Sequence, residues 1–108
     1  MTTPAGVCWA YDFTFERSLE ALLAALEAAG RWPWQGRESY WYGSYLNSRP
    51  EPGVRVRIHH FSDQPQPFSA LLELQPEAAA KREAVDALFR VQLAGAGARD
   101  LRPIEPYD

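Results

Sequence analysis

The sequence has little of several features that define common classes of protein. Cys8 is its single cysteine, which excludes an internal disulfide and a zinc site built from several cysteines. No apolar run approaches the ~20 residues that a membrane-spanning helix needs. The chain also does not open with a basic segment followed by an apolar one, as a secretory signal does. We therefore expect a cytoplasmic protein without a membrane partner.

Motifs of enzymatic chemistry are also absent from the sequence. It contains no glycine-rich phosphate loop, no strand-turn-helix nucleophile motif and no paired His-Glu zinc motif. His59 and His60 are neighbours on a predicted strand, so they point to opposite faces and cannot bind one metal ion together. Apolar neighbours around Cys8 predict a buried, structural thiol. We expect no metal, no cofactor and no catalytic residue, and the sequence favours a binding protein over an enzyme.

Charge and composition narrow the class further. The chain has 14 acidic and 11 basic residues and a net charge of -3, so a broad attraction to nucleic-acid backbones is not expected. Its 46% hydrophobic and 23% charged residues are typical of a globular protein. The length of 108 residues suits a single domain with one core.

Two segments have the clearest periodicity. Residues 6–15 alternate between large apolar and smaller side chains, which predicts a strand inside the sheet. Leucines at helical spacing follow, with Ser18 as the N-cap and Gly30 as the stop of an amphipathic helix. The first strand and the first helix are therefore predicted with their boundaries.

Three further strands and a second helix complete the prediction. Residues 37–46, 54–61 and 68–75 read as a three-stranded meander, and a helix runs from Pro76 to Gly95. Residues 99–108 form an edge strand or an irregular tail, because prolines interrupt them. The order β-α-β-β-β-α-β predicts an α+β two-layer sandwich with a mainly antiparallel sheet of four or five strands. Both helices lie on one face, and the sandwich has ferredoxin-like character.

The predicted registers decide which side chains lie on the face without helices. We place Leu46 opposite Val54 and Arg57 opposite Glu73, which sends Tyr40 and Tyr42 to the core side. His60 then lies at the core rim and His59 on the surface. The open face is predicted to carry the partner-binding residues Trp41, Tyr45, Arg55, Arg57, His59 and Phe61. In the alternative, the tail or the loop from Trp32 to Trp34 covers this face.

No recognised family motif accompanies these residues, and a fold label alone carries no function. We expect a protein-binding module, such as an inhibitor or an immunity or antitoxin-like partner of a basic protein, that uses the open face. Self-association through that face is a further reading. The alternative is a small-molecule-binding protein or enzyme in which two copies meet face to face and enclose a cavity near His59.

Overall fold

The computed structural model describes residues 6–39, 43–60 and 68–106. Within these residues the chain forms six strands and two α-helices, in the order β1 (Val7–Thr14), α1 (Leu19–Ala29), β2 (Trp34–Ser39), β3 (Gly43–Ser48), β4 (Val54–His60), β5 (Phe68–Leu74), α2 (Arg82–Ala96) and β6 (Arg99–Ile104). A 3-10 helix over Pro76–Lys81 leads into α2. The strands form one antiparallel sheet in the order β2-β3-β4-β5-β1-β6. The α+β class is therefore confirmed.

Helix boundaries follow the capping residues. The Ser18 hydroxyl accepts a hydrogen bond from the Ala21 backbone N–H at 3.1 Å, and Gly30 ends α1 with a φ of 66°. Both caps are as predicted. Helix α2 was expected to end at Gly95 but runs on to Ala96, because Gly97 is the residue that adopts the left-handed conformation, with a φ of 97°.

The sheet is larger than predicted because residues 37–46 do not form one strand. They contribute to two strands, β2 and β3, which pair with each other and raise the number of strands to six. Gly43 has a φ of 71°, a left-handed conformation that lets the chain turn at the start of β3. Tyr40, Trp41 and Tyr42 lie outside the described residues, so their predicted faces stay predictions.

The two predicted registers are wrong, although the residues that the structure describes in β3, β4 and β5 keep their predicted faces. Leu46 pairs with Ile58 and not with Val54, and Glu73 pairs with Arg55 and not with Arg57. These displacements are four and two residues. An even displacement keeps every side chain on its face, because side chains alternate along a strand.

Both helices cover the same face of the sheet. Leu22 and Leu26 of α1 and Phe89 of α2 share one core with the apolar row of β5 and with Phe13 of β1. The Trp34 indole N–H donates to the side-chain oxygen of Gln92 in α2 at 3.1 Å. Trp32 and Trp34 therefore pack below the helices, and the idea that their loop covers the open face is wrong.

A polar cluster joins β1 to α2 beside this core. The Asp86 carboxylate accepts hydrogen bonds from the Trp9 indole at 2.8 Å and the Tyr11 hydroxyl at 2.5 Å, and Arg90 pairs with its other oxygen at 2.9 Å. Arg90 also donates to the Tyr11 hydroxyl at 2.8 Å.

Neither helix in the described part of the chain is long and apolar enough to span a membrane.

The open face of the sheet as candidate functional site

The face opposite the helices is called the open face here, and its residues line up in rows across the strands. The central row runs through Arg37, Tyr45, His59, Ser69 and Asp12, each paired with the next in a neighbouring strand. A second row contains Gln35, Asn47, Arg57, Leu71 and Ala10, and a third contains Arg55, Glu73 and Cys8. Tyr45, Arg55, Arg57 and His59 thus share the predicted face, whereas Trp41 and Phe61 lie outside the described residues.

Burial differs sharply among these four residues. Tyr45 and Arg55 are partly exposed, while His59 is 1% and Arg57 9% exposed. The expectation of a surface position for His59 is wrong, because the Tyr45 ring stacks on the imidazole with 5.1 Å between centroids. The neighbouring His60 is the exposed histidine, and its ring stacks on Phe68 at 4.4 Å.

The electrostatics of the open face keep His59 neutral at pH 7. Burial, and then the nearby Arg57 and Arg55 guanidiniums, lower the pKa of His59 to about 4. Arg57 forms an ion pair with Glu73 at 2.9 Å. The predicted contact between these two residues exists, but it runs diagonally and not between directly opposite positions.

Three guanidiniums at the β2–β4 end of the open face have no carboxylate partner among the described residues. Arg37 donates to the Gln35 side-chain oxygen at 2.8 Å, and Arg55 donates to the Asn47 side-chain oxygen at 3.2 Å. Arg49, just after β3, is exposed. Neutral amide oxygens hold a guanidinium in place without cancelling its charge. We call Arg37, Tyr45, Arg49 and Arg55 the open-face patch.

A pocket of about 560 Å³ adjoins this patch and is lined by the loop between β3 and β4. Its polar walls are Arg49, Arg55, Glu51, Glu73 and Gln75. Glu51 pairs with Lys81, and Glu73 pairs with Arg57, and neither of these two cations lines the pocket. Both carboxylates of the pocket thus have an ion-pair partner that lies outside its lining. Arg49 and Arg55 are the charged lining residues without an ion pair among the described residues.

Sequence reasoning missed Arg37 and Arg49 because it treated residues 37–46 as one strand. In the segment from Trp34 to Arg37, the polar side chains of Gln35 and Arg37 alternate with Trp34 and Gly36. Trp34 is buried, while Gln35 and Arg37 are exposed. This alternation was the available signal for an additional strand with an arginine on the open face.

The arrangement of polar groups on the open face does not resemble a catalytic triad. Ser69 lies between His59 and Asp12 in the central row, and its hydroxyl donates to the Asp12 carboxylate at 2.5 Å. A nucleophilic serine needs the histidine between itself and the carboxylate. Within the part of the chain that is described, no three histidine, cysteine or acidic side chains come together to hold a metal ion.

Cys8 is exposed on the open face, so the expectation of a buried thiol is wrong. The strand itself lies inside the sheet as predicted, between β5 and β6. Its apolar neighbours Val7 and Trp9 point toward the helices, whereas Cys8 lies at the end of a row opposite Glu73. The pairing of β1 with β6 begins only at Ala10, so Cys8 has a neighbouring strand, β5, on one side alone.

Comparison with known proteins does not place the chain in a family. No protein-family model matches the sequence, and no curated protein matches it significantly.

Proposed function

We propose that this protein is a binding module that recognises an acidic segment of another protein through the open-face patch. The observation that carries this proposal is the set of three guanidiniums, on Arg37, Arg49 and Arg55, that lack a carboxylate partner in the described chain. Arg37 lies directly opposite the partly exposed Tyr45 in the neighbouring strand, and the Tyr45 ring stacks on His59. Arginine and tyrosine are the residue types enriched at interface hot spots.

The charge of the partner follows from the patch and not from the whole chain. The net charge of -3 predicts a basic partner if the entire surface acts at long range. Charges more than a Debye length of about 8–10 Å apart are largely screened at physiological salt. At contact distance a partner meets the arginines first, which supports an acidic docking segment. Carboxylates suit them because a guanidinium can bind both oxygens at once.

A protein partner fits the open face better than a nucleic acid. Sheets that bind single-stranded RNA stack bases on aromatic side chains of their inner strands. Here the open face of β1 and β5 carries no aromatic side chain, and its residues are Cys8, Ala10, Asp12, Ser69, Leu71 and Glu73. The carboxylates of Asp12 and Glu73 would also repel phosphates.

The order of strands and helices supports the finer fold proposal, although it carries no function by itself. Strands β1, β4, β5 and β6 with α1 and α2 follow the order βαββαβ, which supports ferredoxin-like character with the β2–β3 hairpin as a lateral extension. This hairpin widens the open face and carries Arg37 and Tyr45 of the patch. The inhibitor, immunity and antitoxin-like roles and the cytoplasmic location remain part of this proposal.

The alternative of a small-molecule site or enzyme near His59 has less support. Its imidazole is buried and its pKa is about 4, so at pH 7 it is a weak base that a substrate does not reach. The pocket of about 560 Å³ is not lined by His59.

A displayed library of random peptides tests the proposal. Selection on the wild-type chain should enrich acidic peptides, and fluorescence anisotropy should then give the affinity of the best ones. Arg55→Ala and Tyr45→Ala should each weaken binding by about tenfold or more, as truncation of hot-spot residues does. The affinity should also fall as salt is added.

Arg102→Ala is the matched control. Arg102 is exposed on β6 and lies opposite Asp12 in the strand register. Its replacement therefore removes the same charge from the other end of the open face. Its effect on affinity should stay within about twofold. Failure to enrich acidic peptides, or an equal loss in Arg102→Ala and Arg55→Ala, would contradict the proposal.

A further inference from the structure

The outer strand β2 is an open edge of the sheet. It pairs with β3 on one side, and it is the last strand in the sheet order, so its outward backbone groups face no other described strand. Gln35, Gly36, Arg37 and Glu38 are all exposed. Such an edge can pair with an extended segment of another chain through main-chain hydrogen bonds.

Gly36, in the middle of β2, is a glycine that the fold does not require. It has no positive φ, and a Cβ built on it would meet only the Leu23 side chain, at an ordinary contact distance of 3.5 Å. Glycine weakens a strand, and it often marks a position where another backbone or a ligand approaches closely. The missing side chain leaves open space beside α1.

The space above Gly36 is a groove of about 260 Å³ between α1 and the β2–β3 hairpin. Leu19, Leu23 and Leu46 form its apolar walls. Glu20, Glu38 and Arg37 also line it, and neither carboxylate has an ion-pair partner among the described residues. The groove therefore offers an apolar seat with charges of both signs at its rim.

We propose that β2 and this groove bind one antiparallel strand of a partner protein with a basic, an acidic and an apolar residue in consecutive positions. Residues directly opposite in a sheet share a face. The partner's apolar residue lies opposite Gly36 and fills the groove. The preceding residue lies opposite Arg37 on the other face and is acidic, and the one before it lies opposite Glu38 and is basic.

An antiparallel orientation agrees with the rest of the sheet and is slightly more stable per residue than a parallel one. This strand-docking site does not depend on the acidic-segment proposal for the open-face patch. The two sites share Arg37 and Tyr45, so substitutions at Gly36 and Glu38 test the groove, and Arg55→Ala tests the patch.

Two synthetic peptides of equal composition form the probe. One carries lysine, glutamate and leucine in that order, flanked by threonine and valine, and the other has lysine and glutamate exchanged. Fluorescence anisotropy should show at least about fivefold tighter binding of the first peptide, because the exchange places like charges opposite each other. Amide shifts in NMR spectra of the chain should centre on β2 and α1.

Filling the groove should remove this binding. Gly36→Val should weaken binding of the first peptide by about tenfold or more, because one methylene group more or less in an apolar pocket changes affinity by about that factor. Gly36→Ala should weaken it less and leave the melting temperature nearly unchanged. Gly95→Ala is the matched control, because Gly95 has nothing within 4 Å of its missing Cβ and lies in α2. Glu38→Lys should abolish the preference between the two peptides, because each peptide then has one opposite-charge pair and one like-charge pair.

Equal affinity for the two peptides, or an unaltered affinity in Gly36→Val, would overturn the proposal. A third peptide, with leucine, glutamate and lysine in that order, fits a parallel strand, and its tighter binding would overturn the antiparallel arrangement. A concentration-dependent dimer in sedimentation that Gly36→Val abolishes would show that a second copy, and not a partner peptide, occupies the edge.

Discussion

Replacement of Asp86 by alanine should destabilise the fold by about 2–4 kcal/mol. The carboxylate accepts hydrogen bonds from Trp9 and Tyr11, two residues that are buried. A buried donor left without its acceptor costs about 1–3 kcal/mol. Loss of the Arg90 pair adds less than about 1 kcal/mol, because that guanidinium is half exposed. The Asp86 side chain is itself 24% exposed, so water can reach part of the vacated space, and we expect a value below the full sum.

The same cluster predicts a pH dependence. Burial alone would raise the pKa of Asp86, but the hydrogen bonds from Tyr11, Trp9 and Arg90 outweigh it and lower the pKa overall. A carboxyl with a lowered pKa in the folded state stabilises the fold fully above the unfolded value of about 3.9, and this contribution is lost as pH falls through the folded value. The difference in unfolding free energy between wild type and Asp86→Ala should therefore be largest above about pH 5 and narrow below about pH 4.

Urea denaturation at pH 7 and at pH 3 measures both effects. Tyr11→Phe and the double variant complete a mutant cycle, in which we expect a coupling energy of about 1 kcal/mol or more. Lys81→Ala is the control, since the pair of Lys81 with Glu51 is exposed on both sides and should be worth less than about 1 kcal/mol. A cost for Asp86→Ala no larger than that of Lys81→Ala, or a coupling near zero, would refute the reasoning.

Three further predictions concern the core, the thiol and the buried histidine. Leu22→Ala should cost about 2–5 kcal/mol in denaturant unfolding because Leu22 is fully buried, whereas Val91→Ala, at an exposed position, should cost less than about 1 kcal/mol. Cys8 should react stoichiometrically with a thiol reagent in the native protein because it is exposed, and labelling only after unfolding would contradict this. Since the pKa of His59 is lowered to about 4, wild type should lose stability as pH falls from about 6.5 to 4, by up to ~3 kcal/mol, and His59→Gln should lose less over this window.

Local patterns in the sequence were enough to predict the elements with clear periodicity and caps. Ser18 and Gly30 bound α1 because a side-chain acceptor and a left-handed glycine act within one helical turn. The alternation in β1 and the edge position of β6 with Pro103 follow in the same way from single-strand geometry. The facial assignment of Tyr45, Arg55, Arg57 and His59 also held, because alternation survives an even displacement of register.

The remaining features depended on contacts between residues far apart in the sequence. Whether a side chain on the open face is covered is decided across strands, which is why His59 is buried below Tyr45 while Cys8 is exposed. Asp86 meets Trp9 across 77 positions of the chain, a contact that no local pattern encodes. The strand pairing that brings Arg37 and Arg55 onto one face likewise creates a positive surface on a chain of negative net charge. Sequence periodicity specifies which way a side chain points, but only the folded sheet determines its neighbours, and those neighbours determine its burial and charge.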